Sequence, residues 1–552
     1  MPPQIGYLIL LTILFVSVVL ILRLINQRRL RKKKEELRAR WAKPKSVPFD
    51  FDRIKKYSDL SQGDPFHRLT EQTIEDIDFY SLFSFIDRTT SRVGQQALYA
   101  KVVQPTDQLH NPLDPFIDAF KKDERLREEV QFELVKLNHT DAYHIASLMG
   151  GDLLKRPKWL WAIYLNLALL LVLALLSFSY PFCIILMIVP FTANMLVHYW
   201  NKGNTYQFIR SFPQLNVLIQ VSNALLKRGK LFSNAQAIEA IGSLRSFQRK
   251  SRFISLSGND GLGAELSQIG LYFVELIKIF FLVEVISLFR IIHELEKKRE
   301  AISELFTYVG NIDLAISILS LRAGSLKTCQ PNLTDSKKRI IARGIFHPLI
   351  EACIKNDLTI DGKSVLITGS NMSGKSTFLR TLTINSILAQ TIYTCFADEF
   401  VSPPIKQFSS IRIDDNLFQG KSYYFQEVKI MASLLTESES SHQNLFVLDE
   451  VFKGTNTAER IGAAKAILSY LNRKDNIVIV STHDIELAEM LSSEYDLHHF
   501  TETVESKELH FDHTLKPGPL TTRNAIKLLE LSNYPKEVID EAKKVSNELL
   551  KL

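Results

Sequence analysis

Cysteine is scarce in this 552-residue chain: Cys183, Cys329, Cys353 and Cys395 lie far apart in sequence and form no C-x-x-C pair. That spacing excludes a disulfide-stapled scaffold, offers no zinc site and suits a reducing compartment. Internal repeats and low-complexity tracts are also missing. With 46% apolar residues the chain has material for two to four domains with real cores, which excludes a disordered protein. A basic surplus spread over a domain is missing too. The formal net charge is +7, yet residues 23–45 hold eleven Lys/Arg against Glu35 and Glu36, a local +9, so the remainder sums to about −2. The basic balance is therefore no argument for nucleic acid by itself.

Charge is absent from two long runs. Residues 5–22 are apolar except for Gly6, Tyr7, Thr12 and Ser17, long enough to span a bilayer. Arg23, Arg28, Arg29 and residues 31–34 follow this run and no cation precedes it, the reverse of a cleaved signal peptide. The expectation is an uncleaved anchor with its N-terminus outside, and a basic stop signal that touches anionic lipid; a solvated helix face is the alternative for the basic run. Residues 159–200 contain no Asp, Glu, Lys or Arg, and an interruption at 177–181 divides them into two spans. This predicts a membrane hairpin with Trp159, Trp161, Tyr199 and Trp200 as interfacial anchors, against a buried hairpin of a soluble core. A third run, 271–289, is broken by Glu275, Lys278 and Glu284 and reads as a soluble amphipathic core helix. Together these features predict a multi-pass protein of the cell (inner) membrane with the rest of the chain cytoplasmic.

Apolar spacings of three and four predict helices over 74–98 and 116–137, and helical patterns dominate again over 204–325, with 297–304 a solvated stretch inside one long helix. Near residue 357 the pattern changes. The runs 358–360, 365–368, 445–448 and 477–480 read as strands of a parallel α/β sheet alternating with helices. The expected division is 1–22 anchor, 23–45 basic linker, 46–158 helical, 159–200 hairpin, 201–335 helical and 336–552 α/β. The fold class is thus a C-terminal α/β P-loop domain preceded by an all-α region that the hairpin interrupts.

The chemistry sits in the α/β part. Gly369-Ser370-Asn371-Met372-Ser373-Gly374-Lys375-Ser376-Thr377 follows a strand and opens a helix, the context a P-loop requires. Gly369 and Gly374 let backbone N–H groups close around phosphate oxygens, Lys375 neutralises the β- and γ-phosphates, and Ser376 offers its hydroxyl to Mg²⁺. The apolar strand 444–448 ends in Asp449 and Glu450. Asp449 is the expected metal partner and Glu450 the expected base for the attacking water. A third strand ends in Ser481-Thr482-His483, making His483 a candidate γ-phosphate sensor, with an ordinary helix-capping histidine as the alternative.

Together these motifs resemble the MutS family. The resemblance is carried by the P-loop with Asn371 and Met372, by the segment from Asp414 through Gly420 and Ser422 to Glu427, by Asp449-Glu450 with Gly454-Thr455, and by Ser481-Thr482-His483. His347-Pro348-Leu349, Lys516-Pro517-Gly518 and the Tyr534-Pro535 segment fit the same family over residues 340–545. Leu82 through Asp87-Arg88-Thr89 to Gly94 and Leu98 resembles the start of the MutS core helical domain. The resemblance implies a Mg²⁺-dependent, ABC-type ATPase working as a homodimer, in which Ser422 of one protomer completes the nucleotide site of the other. It also implies core- and lever-like roles for 46–158 and 201–335, and dimerisation helices at the C-terminus. Departures accompany it. Residues 1–45 are anchor and linker with no mismatch-reading domain expected there, and Arg523-Asn524-Ala525-Ile526 replaces the family's Ser-Tyr-Gly-Ile pattern.

Three functions remain open on the sequence: a membrane-tethered MutS-family ATPase that binds DNA in mismatch repair or DNA-structure sensing, a mechanical membrane ATPase acting on a protein partner, and an ABC transporter subunit. Three spans per chain and the absence of a Leu-Ser-Gly-Gly-Gln signature weigh against the transporter.

Overall fold

The computed structural model describes residues 3–60, 63, 65–150, 160–204, 206–251, 279–370, 373–412, 423–452, 456–505, 508–520, 529–530 and 534–549. Two compact units divide the chain, one of Met1–Gln62, Asp87–Ala100 and Leu113–Ala323, the other of Gly63–Ile86, Lys101–Pro112 and Gly324–Leu552.

The first unit is helical. Its opening helix, Pro3–Arg40, carries the first apolar run and most of the basic run on one continuous rod of 38 residues. The hairpin follows as helix Leu160–Leu176, a turn, and a second arm split into Cys183–Leu186 and Ile188–Asn204. Pro190 accounts for the split: it has no N–H to give the Leu186 carbonyl, and its ring crowds that carbonyl. Asn166 Nδ2 joins the arms by donating to Asn194 Oδ1 at 2.7 Å, while Leu165, Val172, Phe178 and Val189 face outward.

The third apolar run is described in part. Within 271–289 only 279–289 lies among the described residues, and a helix, Val283–Glu296, starts after Leu282, which is left-handed at φ 47°. Leu282, Val285 and Phe289 bury themselves against Leu160 and Ile163, and Asn194 Nδ2 donates to the Phe280 carbonyl at 2.8 Å. The described part of this run is therefore helical from Val283 and buries its apolar residues against the first arm of the hairpin. An expectation is corrected at 297–304. The helix ends at Glu296 and a new one spans Arg299–Arg322, because Lys298 leaves helical geometry at φ −123°. The new helix is apolar enough to cross a membrane by composition, but it is mostly buried in the first unit's core.

Arg299–Arg322 packs closely on helix Arg92–Val103. A Cβ on Gly310 would stand 2.8 Å from Ala97 Cβ, and one on Gly94 would stand 2.1 Å from Asp313 Oδ2. Buried Asp313 accepts from the backbone N–H of Thr90 and Ser91, at 2.8 and 2.7 Å, and from the Ser91 hydroxyl. Ser91 Oγ in turn caps the helix by accepting from Gly94 N.

The second unit is an α/β sandwich. Its strands are β1 (Asn332–Leu333), β2 (Arg339–Ile345), β3 (Asn356–Asp361), β4 (Ser364–Thr368), β5 (Glu399–Ser402), β6 (Lys406–Ser410), β7 (Asn444–Asp449), β8 (Ile477–Thr482), β9 (Tyr495–Glu505) and β10 (Glu508–Pro517). The main sheet runs β10-β9-β4-β8-β7-β6, parallel except for β10. A smaller sheet runs β1-β5-β2-β3, and here the reading of 358–360 needs correcting. That run lies in β3, which pairs antiparallel with β2 outside the main sheet.

The central strands are buried on both faces, which is why they read as unbroken apolar runs. Val365, Ile367, Val447 and Ile479 enter one core with Phe378 and Leu382 of the helix Lys375–Thr391. Leu366, Phe446, Leu448 and Val478 enter the other, beneath Leu468 of Thr457–Leu471 and Leu487 of Ile485–Leu491. Asp76, from the early part of the chain, holds the β6 edge: it accepts from Ser409 Oγ at 2.6 Å and from the N–H groups of Ile411 and Arg412 at 3.0 and 2.7 Å. Cys329 and Cys395, remote in sequence, face each other across an antiparallel bridge, and all four cysteines are free thiols.

Candidate functional site

Three parallel strands bring the chemistry together. β4 lies beside β8 with Thr368 level with Thr482, and β8 lies beside β7 with Ser481 level with Asp449. The segments after Thr368, Asp449 and Thr482 therefore emerge side by side at the carboxyl edge of the sheet, where α/β folds bind ligands.

Glycine is required at two points of the P-loop. Gly369, at φ 143°, passes so close to the next strand that a Cβ would stand 2.9 Å from the Phe500 carbonyl, and Gly374, at φ 109°, is the N-cap of Lys375–Thr391. Lys375 is 1% exposed, and its ammonium donates to the Gly369 carbonyl across the loop it closes. Ser373 Oγ donates to the Ser370 carbonyl at 2.7 Å and Ser370 Oγ donates to Glu502 Oε2 at 2.6 Å. Thr377 lies in the first turn of the helix. Asn371 and Met372 lie outside the described residues, as do Ser422, Gly454, Thr455 and 523–526.

Opposite the loop, Asp449 receives hydrogen bonds from two hydroxyls, Ser376 on Oδ2 and Ser481 on Oδ1. A carboxylate and a serine hydroxyl converging on one point form a hard-oxygen donor set, and these residues fit Mg²⁺. Glu450 adopts a left-handed conformation at φ 49°, and so does Phe452 at φ 65°. Strain of this kind is held by its surroundings: Glu450 N–H donates to the Ser481 carbonyl at 3.0 Å, and Phe452 N–H to the buried Glu427 carboxylate. The turn leaves the Glu450 side chain 6% exposed with Oε2 3.6 Å from His483 Nδ1. That carboxylate raises the His483 ring above its ordinary value, against the lowering effect of burial. Arg460 then grips the neighbouring Asp484 with two hydrogen bonds, of 3.1 and 2.7 Å.

Of the residues that buttress this site, Ser481 lies in a motif the sequence singles out, while Glu502 and His513 do not. Ser481 shares Asp449 with Ser376, Glu502 holds Ser370, and His513 Nδ1 lies 3.0 Å from the Ser373 carbonyl. Beside the loop a cavity of about 370 Å³ is lined by Gly374, Ser376, Thr377 and His513 together with apolar Ile350 and Phe500. β9 and β10 supply Phe500, Glu502 and His513, and their mixed polar pattern resembles that of many exposed hairpins.

A parallel sheet with a P-loop after one strand and an acidic pair after a strand two places away defines a P-loop ATPase of the ABC type. Within that class, residues 365–550 match the family model of MutS domain V, so the second unit carries a MutS-type ATPase domain, a domain that hydrolyses ATP. The chain is 30% identical over 253 residues to the DNA mismatch repair protein MutS of Thermus thermophilus, covering 45% of this chain and 30% of that one. It is 35% identical over 228 residues to that of Lactobacillus delbrueckii subsp. bulgaricus, covering 39% and 26%. For the protein of the same name from Erythrobacter litoralis the figures are 30% over 267 residues, 46% and 30%. The chain thus matches less than a third of each of these relatives' lengths.

Proposed function

We propose that this protein is a membrane-tethered MutS-type ATPase that works as a dimer and couples Mg²⁺-dependent ATP hydrolysis to engagement of DNA. The observation that carries the ATPase reading is the meeting of Lys375, Ser376, Asp449, Glu450 and His483 at one edge of the sheet. In it, Lys375 and the P-loop amides hold the phosphates and Ser376 and Asp449 hold the metal, which supplies charge to the phosphate oxygens. Glu450 takes the proton of the attacking water. His483 holds the base by its charge and turns toward the γ-phosphate. The cavity bounded by Ile350 and His513 suits the base of the nucleotide. Ser422 of a second protomer would close the open side, because charge spread over the transferred phosphoryl group needs donors on more than one side.

Membrane tethering is supported by the outward apolar faces of helix Pro3–Arg40 and of the hairpin, whose tip residue Phe178 is 90% exposed. Exposed apolar surface on that scale is costly in water and favourable in lipid. The expected placement is multi-pass in the cell membrane with the ATPase domain in the cytoplasm. A protein partner in place of DNA is favoured by one observation, the near-neutral charge outside residues 23–45. Salt-dependent binding of the protein to duplex, branched and mismatched DNA separates the two, because phosphate contacts weaken steeply with salt.

The test of the site is kinetic. Lys375→Ala is expected to lose nucleotide binding, while Glu450→Gln should bind ATP and turn over at least about a hundredfold more slowly. Unimpaired turnover by Glu450→Gln would remove Glu450 from the role of base.

A further inference from the structure

Cys329 and Cys395 flank the P-loop and its helix in sequence, and they meet in the second unit just ahead of the paired strands β1 and β5. Cys329 N–H donates to the Cys395 carbonyl and Cys395 N–H to the Cys329 carbonyl, both at 2.9 Å, so the two residues form a hydrogen-bonded antiparallel pair. Residues placed in this way stand directly opposite each other, with Cα atoms about 5.5 Å apart and side chains on the same face. That separation lies inside the range a disulfide spans, roughly 4.4 to 6.8 Å. The Cβ atoms of such a pair stand wider than the mean of about 3.8 Å in disulfides. A bond between these sulfurs therefore draws the backbones together and stays easy to reduce.

The two thiols differ in their surroundings. Cys395 is buried in the core with Phe378, Leu379 and Leu382 of the helix Lys375–Thr391, and its Sγ donates to the Asn385 carbonyl at 3.4 Å. Phe396 N–H donates to Asn385 Oδ1 at 2.6 Å, which fixes the segment that carries Cys395. Cys329 is half-buried and packs against the same core from its rim. A hydrogen bond with the Cys395 side chain lowers the Cys329 thiol below its ordinary value, against the raising effects of burial and of Asp398 and Glu399. Those carboxylates are themselves answered by cations, Asp398 by Lys327 and Lys355 at 2.7 and 2.9 Å and Glu399 by Arg343 at 3.3 Å. A more acidic and more accessible thiol beside a buried one is the division of labour between an attacking and a resolving cysteine.

We propose that Cys329 and Cys395 are a redox-modification site, at which a small disulfide such as oxidised glutathione installs a reversible bond between them. The Cys329 thiolate attacks one sulfur of the small disulfide, forms a mixed disulfide and releases one thiolate. The Cys395 sulfur, giving up its proton, then attacks Cys329 Sγ and releases the second. Two protein thiols together lose two electrons and two protons, and the small disulfide takes up both as it becomes two thiols. In a reducing compartment the dithiol is the resting form, and the bond answers oxidation. The ring it closes contains β1 to β4, the P-loop and the helix Lys375–Thr391, so the bond clasps the two ends of the segment that holds the phosphate loop. The assignment is independent of ATP hydrolysis, because the bond itself is what the experiment reads.

The test uses the full reduced chain in detergent, equilibrated in glutathione buffers of graded reduced-to-oxidised ratio, quenched with acid and N-ethylmaleimide and digested for mass spectrometry. A peptide pair joining Cys329 to Cys395 is expected to appear as the buffer becomes more oxidising and to vanish with dithiothreitol, and Cys353→Ser should leave it unchanged. Cys395→Ala should instead retain glutathione on Cys329, because the resolving sulfur is gone, and Cys329→Ser should leave the buried Cys395 unmodified. The parent chain decides the matter without any variant. Unlinked Cys329 and Cys395 at every ratio, or glutathione that persists on Cys329 of the parent chain, would overturn the site. Linkage of either cysteine to Cys183 or Cys353 in its place would do the same.

Discussion

Glu450 shows how a single residue is prepared for its chemistry. Its backbone occupies a region that L-residues avoid, and two hydrogen bonds in the following turn keep it there. The result is a nearly buried carboxylate against a half-exposed imidazole. The coupling has a definite sign. A histidine whose pKa is raised in the folded protein stabilises it fully below its unfolded value near 6.5, and this contribution is lost as pH rises through the raised value. In a proton NMR titration His483 should therefore titrate above 6.5, and in Glu450→Gln its midpoint should fall back toward or below that value. An unchanged midpoint would mean that the carboxylate and the ring do not interact in solution. The same reasoning expects Glu450 to be freer to act as a base once pH passes the His483 midpoint.

At the scale of elements, helices Arg92–Val103 and Arg299–Arg322 approach each other through glycines, Gly94 and Gly310. Asp313 can accept from Thr90 and Ser91 only because Gly94 offers no Cβ. Gly94→Ala forces the carboxylate to withdraw and leaves buried N–H groups without an acceptor, at a cost on the order of 3 kcal/mol. Hydrogen exchange of the amides in Arg92–Val103 should accelerate roughly a hundredfold at that cost; exchange as slow as in the parent chain would show that the helices part without penalty. Contacts of this kind explain which elements can be read from sequence. β4, β7 and β8 are buried on both faces, and their apolar runs announce them, as the P-loop glycines announce the loop. β9 and β10 mix polar and apolar residues along their length, so Glu502 and His513 carry no local mark of their place beside the phosphate loop. The break at Lys297–Lys298 and the packing of Leu282, Val285 and Phe289 on the hairpin depend on partners distant in sequence. Periodicity alone cannot supply those partners.

For the whole molecule, the open question is where the outward apolar surface goes. The 17-residue arm Leu160–Leu176 advances about 25 Å, close to the thickness of a bilayer's hydrocarbon core, and the second arm is continued across its proline break to a similar length. Two polar residues of the hairpin are turned inward: Asn166 and Asn194 meet between the arms, where Asn166 Nδ2 donates to Asn194 Oδ1, as the membrane reading requires. Helix Arg299–Arg322, also long and apolar enough to cross a membrane by composition, is mostly buried in protein contacts and is no candidate for lipid. The arrangement predicts that the turn at Phe178 reaches the far side of the membrane while the segment at Lys43 stays on the ATP side. In intact cells, with the native cysteines replaced, Phe178→Cys should react with a membrane-impermeant maleimide, and Lys43→Cys should react only after lysis. If Phe178→Cys is labelled only after lysis, the hairpin does not cross, and its apolar faces must be covered by another protein surface instead.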